Sequence, residues 1–327
     1  MPLNAPRKIA LLTTGGTIAM TDTGHGAEVS ITGEALGARV GGGVDLEVTE
    51  VFAKPSSNIT LDDMATLAKA ALAKSAEADG VVISHGTDTL EETAWCLDLL
   101  LRTETPVVLT GAMRTFGAEG ADGAANLRAA CRVAASPGAR GMGVLAVLAD
   151  EIHAAALVRK VHSSSVDAFS SQPYGPLGAV VEGRVNLLLR PARRPPQLRR
   201  GEGRSRVPIV YVYSGMEADA LDPYAAGDID ALVLNLPGGG HVPAAMVGRL
   251  AELASRMPVV FAARTHGGET LSATYGYAGG EMDLIARGLI ASGTLDALKA
   301  RIATALLVSD GAGRDAVAAF FGHFRGD

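Results

Sequence analysis

Apolar residues recur along this chain in two alternating patterns, and their alternation predicts the fold. Short β-branched and aliphatic runs, the mark of strands buried on both faces, lie at residues 8–12, 81–84, 106–110 and 143–149. Between them come helical spacings: Leu61, Met64, Leu67, Ala68, Ala71 and Leu72, then Leu90, Ala94, Leu97 and Leu101, then residues 122–135. Residues 45–52 alternate instead and predict a half-buried strand. Strand, helix and strand in turn predict an α/β fold, a mostly parallel sheet covered by helices on both faces. Proline, glycine and arginine interrupt the pattern over residues 190–206, and a second, shorter alternation follows. Its strands are expected at residues 209–213, 231–236 and 259–263, its helices near 244–256, 295–307 and 316–324. The expected organisation is a larger doubly wound domain over 1–189, a linker over 190–206, and a smaller α/β domain over 207–327.

Composition narrows the class of protein. At 327 residues, 48% apolar and 20% charged, the chain has the length and the hydrophobic content for two ordinary cores. A net charge of -6 argues against nucleic acid as the main partner. The arginine-rich linker lacks the interleaved aromatics of a nucleic-acid surface and reads as a solvated connection. Cys96 and Cys131 fall on helical patterns among apolar neighbours, without zinc spacing, and are expected to be buried thiols. The first residues carry no charged and apolar leader, and no apolar run reaches membrane length, so a cytoplasmic protein is expected.

Chemistry concentrates where apolar runs end. Residues 81–84 turn at Gly86 into Thr87-Asp88, and Thr89 with Glu92 reads as a capping box opening the next helix. A hydroxyl and a carboxylate there could be turn and capping residues, or could serve acyl transfer beside a helix N-terminus. Residues 8–13 run into Thr14-Gly-Gly-Thr-Ile-Ala19, another hydroxyl-and-glycine turn. Two such loops can face each other across the switch point of an open α/β sheet, where ligands bind. Residues 20–30 follow as a polar loop, either a plain surface connection or a natural lid beside a catalytic hydroxyl.

With Thr14-Gly-Gly-Thr-Ile-Ala19 and His85-Gly-Thr-Asp-Thr-Leu-Glu-Glu-Thr93 in order, the sequence resembles the bacterial-type L-asparaginase family, the asparaginase/glutaminase amidohydrolases. The likeness runs on through Ser56-Ser-Asn58, Gly111-Ala-Met-Arg114 with Asp122-Gly-Ala-Ala-Asn-Leu127, Tyr174-Gly-Pro-Leu-Gly178 and Gly280-Glu-Met-Asp283. It implies a flavodoxin-like smaller domain and hydrolysis of L-asparagine to L-aspartate and ammonia, with L-glutamine as a poorer substrate. Thr17 would be the acylated nucleophile, with Thr87, Asp88 and Lys160 as the proton-transfer group and backbone N–H groups holding the oxyanion. Which threonine attacks first is not legible in residue types. Ser56 and Ser57 would hold the substrate's α-carboxylate. Glu281, contributed to a neighbouring subunit's site, would meet its α-amino group in a homo-oligomer, a dimer of dimers. The family uses no cofactor and no metal.

One departure stands out. The family's lid carries a tyrosine on the first threonine, whereas this chain has no tyrosine before Tyr174. Water, a residue of 22–28, or Lys160 must then take that role. None of the seven histidines forms a metal-ligating pair on one helix face. His85 is expected to be structural, His162 to border Lys160, and His241 and His266 to be turn residues. Two other functions compete: a catalytically dead amino-acid-binding protein, and the asparaginase-like subunit of a tRNA-dependent amidotransferase. The early first strand argues against the latter, which usually carries an extra N-terminal domain.

Overall fold

The computed structural model describes residues 6–22, 27–29, 32–38, 44–265 and 267–325. The chain divides into two compact units, Met1–Arg194 and Pro195–Asp327. The strands are β1 (Arg7–Thr13), β2 (Met20–Asp22), β3 (Ala27–Val29), β4 (Val44–Glu50), β5 (Gly80–Ser84), β6 (Val107–Thr110), β7 (Val144–Leu148), β8 (Glu151–Ala154), β9 (Arg159–Lys160), β10 (Phe169–Ser170), β11 (Gly178–Val181) and β12 (Arg184–Leu187) in the first unit. In the second they are β13 (Ile209–Tyr211), β14 (Leu232–Leu236), β15 (Val259–Ala263) and β16 (Ile290–Ala291). The longer helices are α1 (Gly33–Gly37), α2 (Leu61–Ser75), α3 (Leu90–Leu100), α4 (Gly123–Ala134), α5 (Asp222–Ala226), α6 (Val247–Arg256), α7 (Glu281–Ala286), α8 (Ala297–Ser309) and α9 (Arg314–Gly322).

Eight strands of the first unit form one sheet in the order β12-β11-β8-β7-β6-β5-β1-β4. β4, β1, β5, β6 and β7 run parallel, because helices carry the chain back between them. Ile9, Leu11, Val82, Val108 and Leu145 share a core cluster with Leu127, Ala130, Cys131 and Val133 of α4. The intervening Ala10, Leu12, Val81, Ile83, Val107 and Leu109 are equally buried, so both faces are covered, as continuous apolar runs require. Chain order reverses at β1: β4 lies on one side of it and β5 on the other. The crevice at the carboxyl ends of β1 and β5 is therefore a topological switch point.

The alternation of runs and helices predicts the parallel strands but not the antiparallel edge. β7 turns into β8 through Ala149 and Asp150, both at positive φ, the tight hairpin that joins antiparallel neighbours. β8, β11 and β12 then extend the sheet. The polar loop expected over 20–30 has a paired base, with Met20 opposite Val29 and Asp22 opposite Ala27. Residues 23–26 and 30 lie outside the described part, and so does His266.

The second unit holds a parallel sheet in the order β13-β14-β15-β16. Leu232, Leu234, Leu236, Val259 and Phe261 pack there with Leu250 and Leu253 of α6. The linker arginines are not merely solvated. Arg194 donates to the buried Asp98 at 2.7 Å, and Arg204 binds Asp230 through two nitrogens.

Candidate active site

Three loops of the first unit meet at the switch point, and glycines let them touch. Thr14 leaves β1 and donates both its N–H and its hydroxyl to Ser84 O at the end of β5. Gly15 and Gly16 follow at φ 93 and 83. A Cβ on Gly16 would overlap Gly86 Cα, and one on Gly86 would lie 2.7 Å from Ser56 Oγ. The Thr17 turn, the Ser56 turn and the Thr87 turn are thus in backbone contact. Thr17 opens a 3-10 turn and is half-buried, Ser56 and Thr87 are buried, and Ser57 is exposed.

Thr87, Asp88 and Lys160 come together as the sequence anticipates. Lys160 Nζ donates to Thr87 Oγ1 at 3.0 Å and to Asp88 Oδ1 at 2.6 Å. The lysine side chain is 15% exposed and that of Asp88 69%, so the pair is wet on one side and covered on the other. Because the ammonium donates to Thr87 Oγ1, the threonine's own proton is free to point elsewhere. The capping box expected at Thr89 does not form. Its hydroxyl donates instead to Ser56 O at 2.8 Å, tying the serine turn to the start of α3. A capping box does close on Thr60 and Asp63 at the start of α2, which follows that serine turn.

Deeper groups hold these loops. His85 is wholly buried between Gly86 O, 2.7 Å from Nδ1, and Thr93 Oγ1, 3.0 Å from Nε2. A carbonyl can only accept, so Nδ1 carries the proton and Nε2 accepts from the threonine hydroxyl. Burial pushes its pKa down to about 4, against the opposing pull of the Gly86 carbonyl. The ring is neutral and structural, as expected. Asp122 accepts from the N–H groups of Met113 and Arg114, and Asn126 bridges Gly111 O to Ala149 N–H. Those contacts explain why an aspartate and an asparagine sit after the Gly111-Ala-Met-Arg114 loop.

Glu281 belongs to the second unit and is 0% exposed. Its Oε1 accepts from the N–H groups of Thr274 and Tyr275, both at 2.7 Å, and its Oε2 lies 3.2 Å from His241 Nε2. Burial opposes its charge, but the N–H groups of Tyr275, Thr274 and Glu281 itself, with His241, outweigh it and hold the carboxyl below its ordinary range. His241, expected to be a turn residue, packs edge-on to Tyr275 at 4.9 Å. His162 Nδ1 accepts from the N–H groups of Ser164 and Ser165 beside Lys160. Sequence reasoning missed Glu91, whose Oε2 accepts the backbone N–H of Lys160 at 3.1 Å. No local pattern announces a contact 69 residues away.

Comparison with known proteins gives the family. Residues 8–193 match the family model of the N-terminal asparaginase domain, and residues 206–321 that of the glutaminase/asparaginase C-terminal domain. A probable L-asparaginase of Deinococcus radiodurans is 38% identical over 98% of both chains. The L-asparaginase of Bacillus licheniformis is 33% identical over 93% of this chain and 96% of its own. The crystal structure of a probable cytoplasmic L-asparaginase from Campylobacter jejuni superposes with a TM-score of 0.85 at 30% identity, covering 96% of this chain and 99% of that one. With both domain models matched in order and relatives similar over nearly their whole length, the chain belongs to the asparaginase family.

Proposed function

We propose that the protein is an L-asparaginase, hydrolysing L-asparagine to L-aspartate and ammonia, with L-glutamine as a poorer substrate. The observation that carries this reading is the single hydrogen-bonded unit of Lys160, Thr87 and Asp88, set across a glycine junction from Thr17. Amide hydrolysis needs a nucleophile, a base, oxyanion donors and an acid for the leaving ammonia. Thr17 supplies the hydroxyl that becomes acylated, and backbone N–H groups of the second loop face the oxyanion. Thr87, Asp88 and Lys160 pass the proton from the attacking oxygen to the leaving nitrogen. Water then attacks the acyl-enzyme through the same group. Every role falls on a residue of the chain, and the reading calls for no metal or cofactor.

Ser56 and Ser57 take the substrate's α-carboxylate. Glu281 of a neighbouring subunit takes its α-amino group, in a dimer of dimers. For that contact the edge of Glu281 beside His241 must face the ammonium, since Oε1 already serves two backbone donors. A cytoplasmic location fits the probable cytoplasmic enzyme it resembles, and among the described residues no helix is long and apolar enough to cross a membrane.

The test measures ammonia release from L-asparagine and L-glutamine after exhaustive chelation, beside calorimetric titration with L-asparagine. Turnover of both, faster with asparagine, is expected. Binding without turnover would make the protein an amino-acid receptor, and loss of turnover with the chelator, restored by zinc or manganese, would overturn the metal-free chemistry.

A further inference from the structure

Lys160 sits on a short and isolated support. β9 is two residues long and pairs with β10 alone, apart from the eight-stranded sheet. The Val161 N–H donates to Ala168 O at 2.7 Å within that ladder. Neighbouring N–H groups of a strand point to opposite sides, so the Lys160 N–H points out of the ladder. There it meets Glu91 Oε2 at 3.1 Å. Glu91 is buried, 8% exposed, in the first turn of α3, three residues after Asp88 and four after Thr87. Thr87 and Asp88 belong to the 3-10 turn that runs directly into α3, so Glu91 is their near neighbour along the chain.

We infer that Glu91 is a positioning residue for Lys160: one rigid stretch, residues 87–91, grips the lysine at both its backbone nitrogen and its ammonium. Between the two grips runs a stem of four methylenes with many rotamers. Held at one end only, the ammonium could sweep several ångströms, and misplacement of a reacting group by about 1 Å can cost on the order of a hundredfold in rate. Glu91 fixes the base of the stem against the same turn that receives its tip, so the Nζ–Thr87 distance is set by local geometry, not by the position of a distant sheet. Toward the Lys160 backbone the carboxylate acts as an acceptor. This inference rests on the reading of Thr87, Asp88 and Lys160 as the proton-transfer group.

The experiment compares Glu91→Gln, Glu91→Leu and Lys160→Met, measuring kcat, KM, the pH profile and Tm on L-asparagine. Glutamine keeps size and acceptor, and is expected within about threefold of the parent kcat with the same pH profile. Leucine removes the acceptor, and is expected to lower kcat roughly ten- to hundredfold with KM within about twofold. If Glu91→Leu does not fold, Glu91→Asp, which withdraws the carboxylate by one methylene and keeps its charge, carries the same expected fall. A lowered Tm with unchanged kcat in Glu91→Leu or Glu91→Asp overturns the inference in favour of a purely structural role. An equal loss in Glu91→Gln with a displaced pH profile overturns it in favour of a charge effect. If Lys160→Met itself keeps full turnover, the proton-transfer reading fails and Glu91 with it; if only Lys160→Met is impaired, Glu91 alone is dismissed.

Discussion

Both units expose the carboxyl ends of a parallel sheet, with glycine turns and a carboxylate nearby, yet they treat the carboxylate oppositely. In the first, Asp88 is mostly exposed and its partner is the ammonium of a long, flexible lysine. In the second, Glu281 is sealed, with two fixed backbone donors on one oxygen and a histidine on the other. The two backbone donors on Glu281 Oε1 cannot give up a proton at neutral pH, so only its His241 edge faces an exchangeable group, whereas Asp88 faces a lysine that also holds a threonine. On the proposed reading, the contrast separates a carboxylate placed for proton transfer from one placed as a charge for the substrate's ammonium. Sheet geometry alone does not make the distinction.

The sharpest way to break that contrast is to remove the exchangeable groups. Thr17→Ala, Thr87→Ala and Lys160→Met should each lower kcat by on the order of a hundredfold or more with the fold intact, since each removes one member of a concerted unit. Steady-state kinetics with circular dichroism checks this, and near-parental turnover in any of the three removes that residue from the mechanism.

The glycine junction comes next. Gly16 has φ 83 and ψ 177, a region open almost only to glycine, and its missing Cβ makes room for Gly86. Gly16→Ala is expected to cost roughly 1–3 kcal/mol of stability through strain and overlap. By parting the two loops it should also lower kcat/KM about tenfold or more. Thermal unfolding and kinetics on one preparation would show it, and an unchanged kcat/KM would mean the loops need not touch.

Glu281→Gln probes the sealed carboxylate. An amide oxygen can still accept from Thr274 and Tyr275, so the unit should fold, while a charged hydrogen bond worth roughly 1.5–3 kcal/mol is lost toward an ammonium. KM should rise at least tenfold with kcat little changed. Assayed at asparagine concentrations well below the raised KM, co-expressed Thr17→Ala and Glu281→Gln chains should then exceed the activity of either mutant alone, because shared sites free of both lesions form. A mixture that only averages the two would mean that each site is built from one chain.

The last effect is on stability against acid, not on the chemistry itself. Burial lowers both His85 and His153 from the ordinary 6.5 to about 4. The unfolded chain therefore binds protons that the folded chain refuses as pH falls through that window, and stability present above pH 6.5 drains away toward pH 4. Each histidine contributes at most about 3 kcal/mol to that loss. Tm measured between these limits should fall, and His153→Leu should flatten the slope; a level Tm would show that neither ring stays neutral.

What the sequence made legible was whatever carries a local signature. Buried parallel strands announce themselves as apolar runs, and the Gly-Gly and His-Gly turns mark where two of them end. The roles that depend on distant partners left no such trace. Thr89 with Glu92 has the spacing of a cap, but the Ser56 carbonyl competes for the same hydroxyl and wins. Thr60, with an aspartate three residues on, forms the box that a search for glutamate overlooks. Glu91 looks like any charged residue in a first helical turn, and only the folded chain brings β9 to it. The antiparallel edge, β8, β11 and β12, is short and partly exposed, so its periodicity is too brief to read.

The span from Thr87 to Glu91 has a bearing on how such chains can diverge in length. Elsewhere in the unit a residue gained or lost in a surface turn is absorbed by the turn. Within this span one inserted residue would push Glu91 away from Thr87 and Asp88 by one position along the chain. The grip on the backbone of Lys160 and the grip on its ammonium could then no longer be held from the same side. Indels should therefore be barred from these five positions. For grafting or shortening the enzyme, the ruler is this five-residue stretch, not the eight-stranded sheet around it.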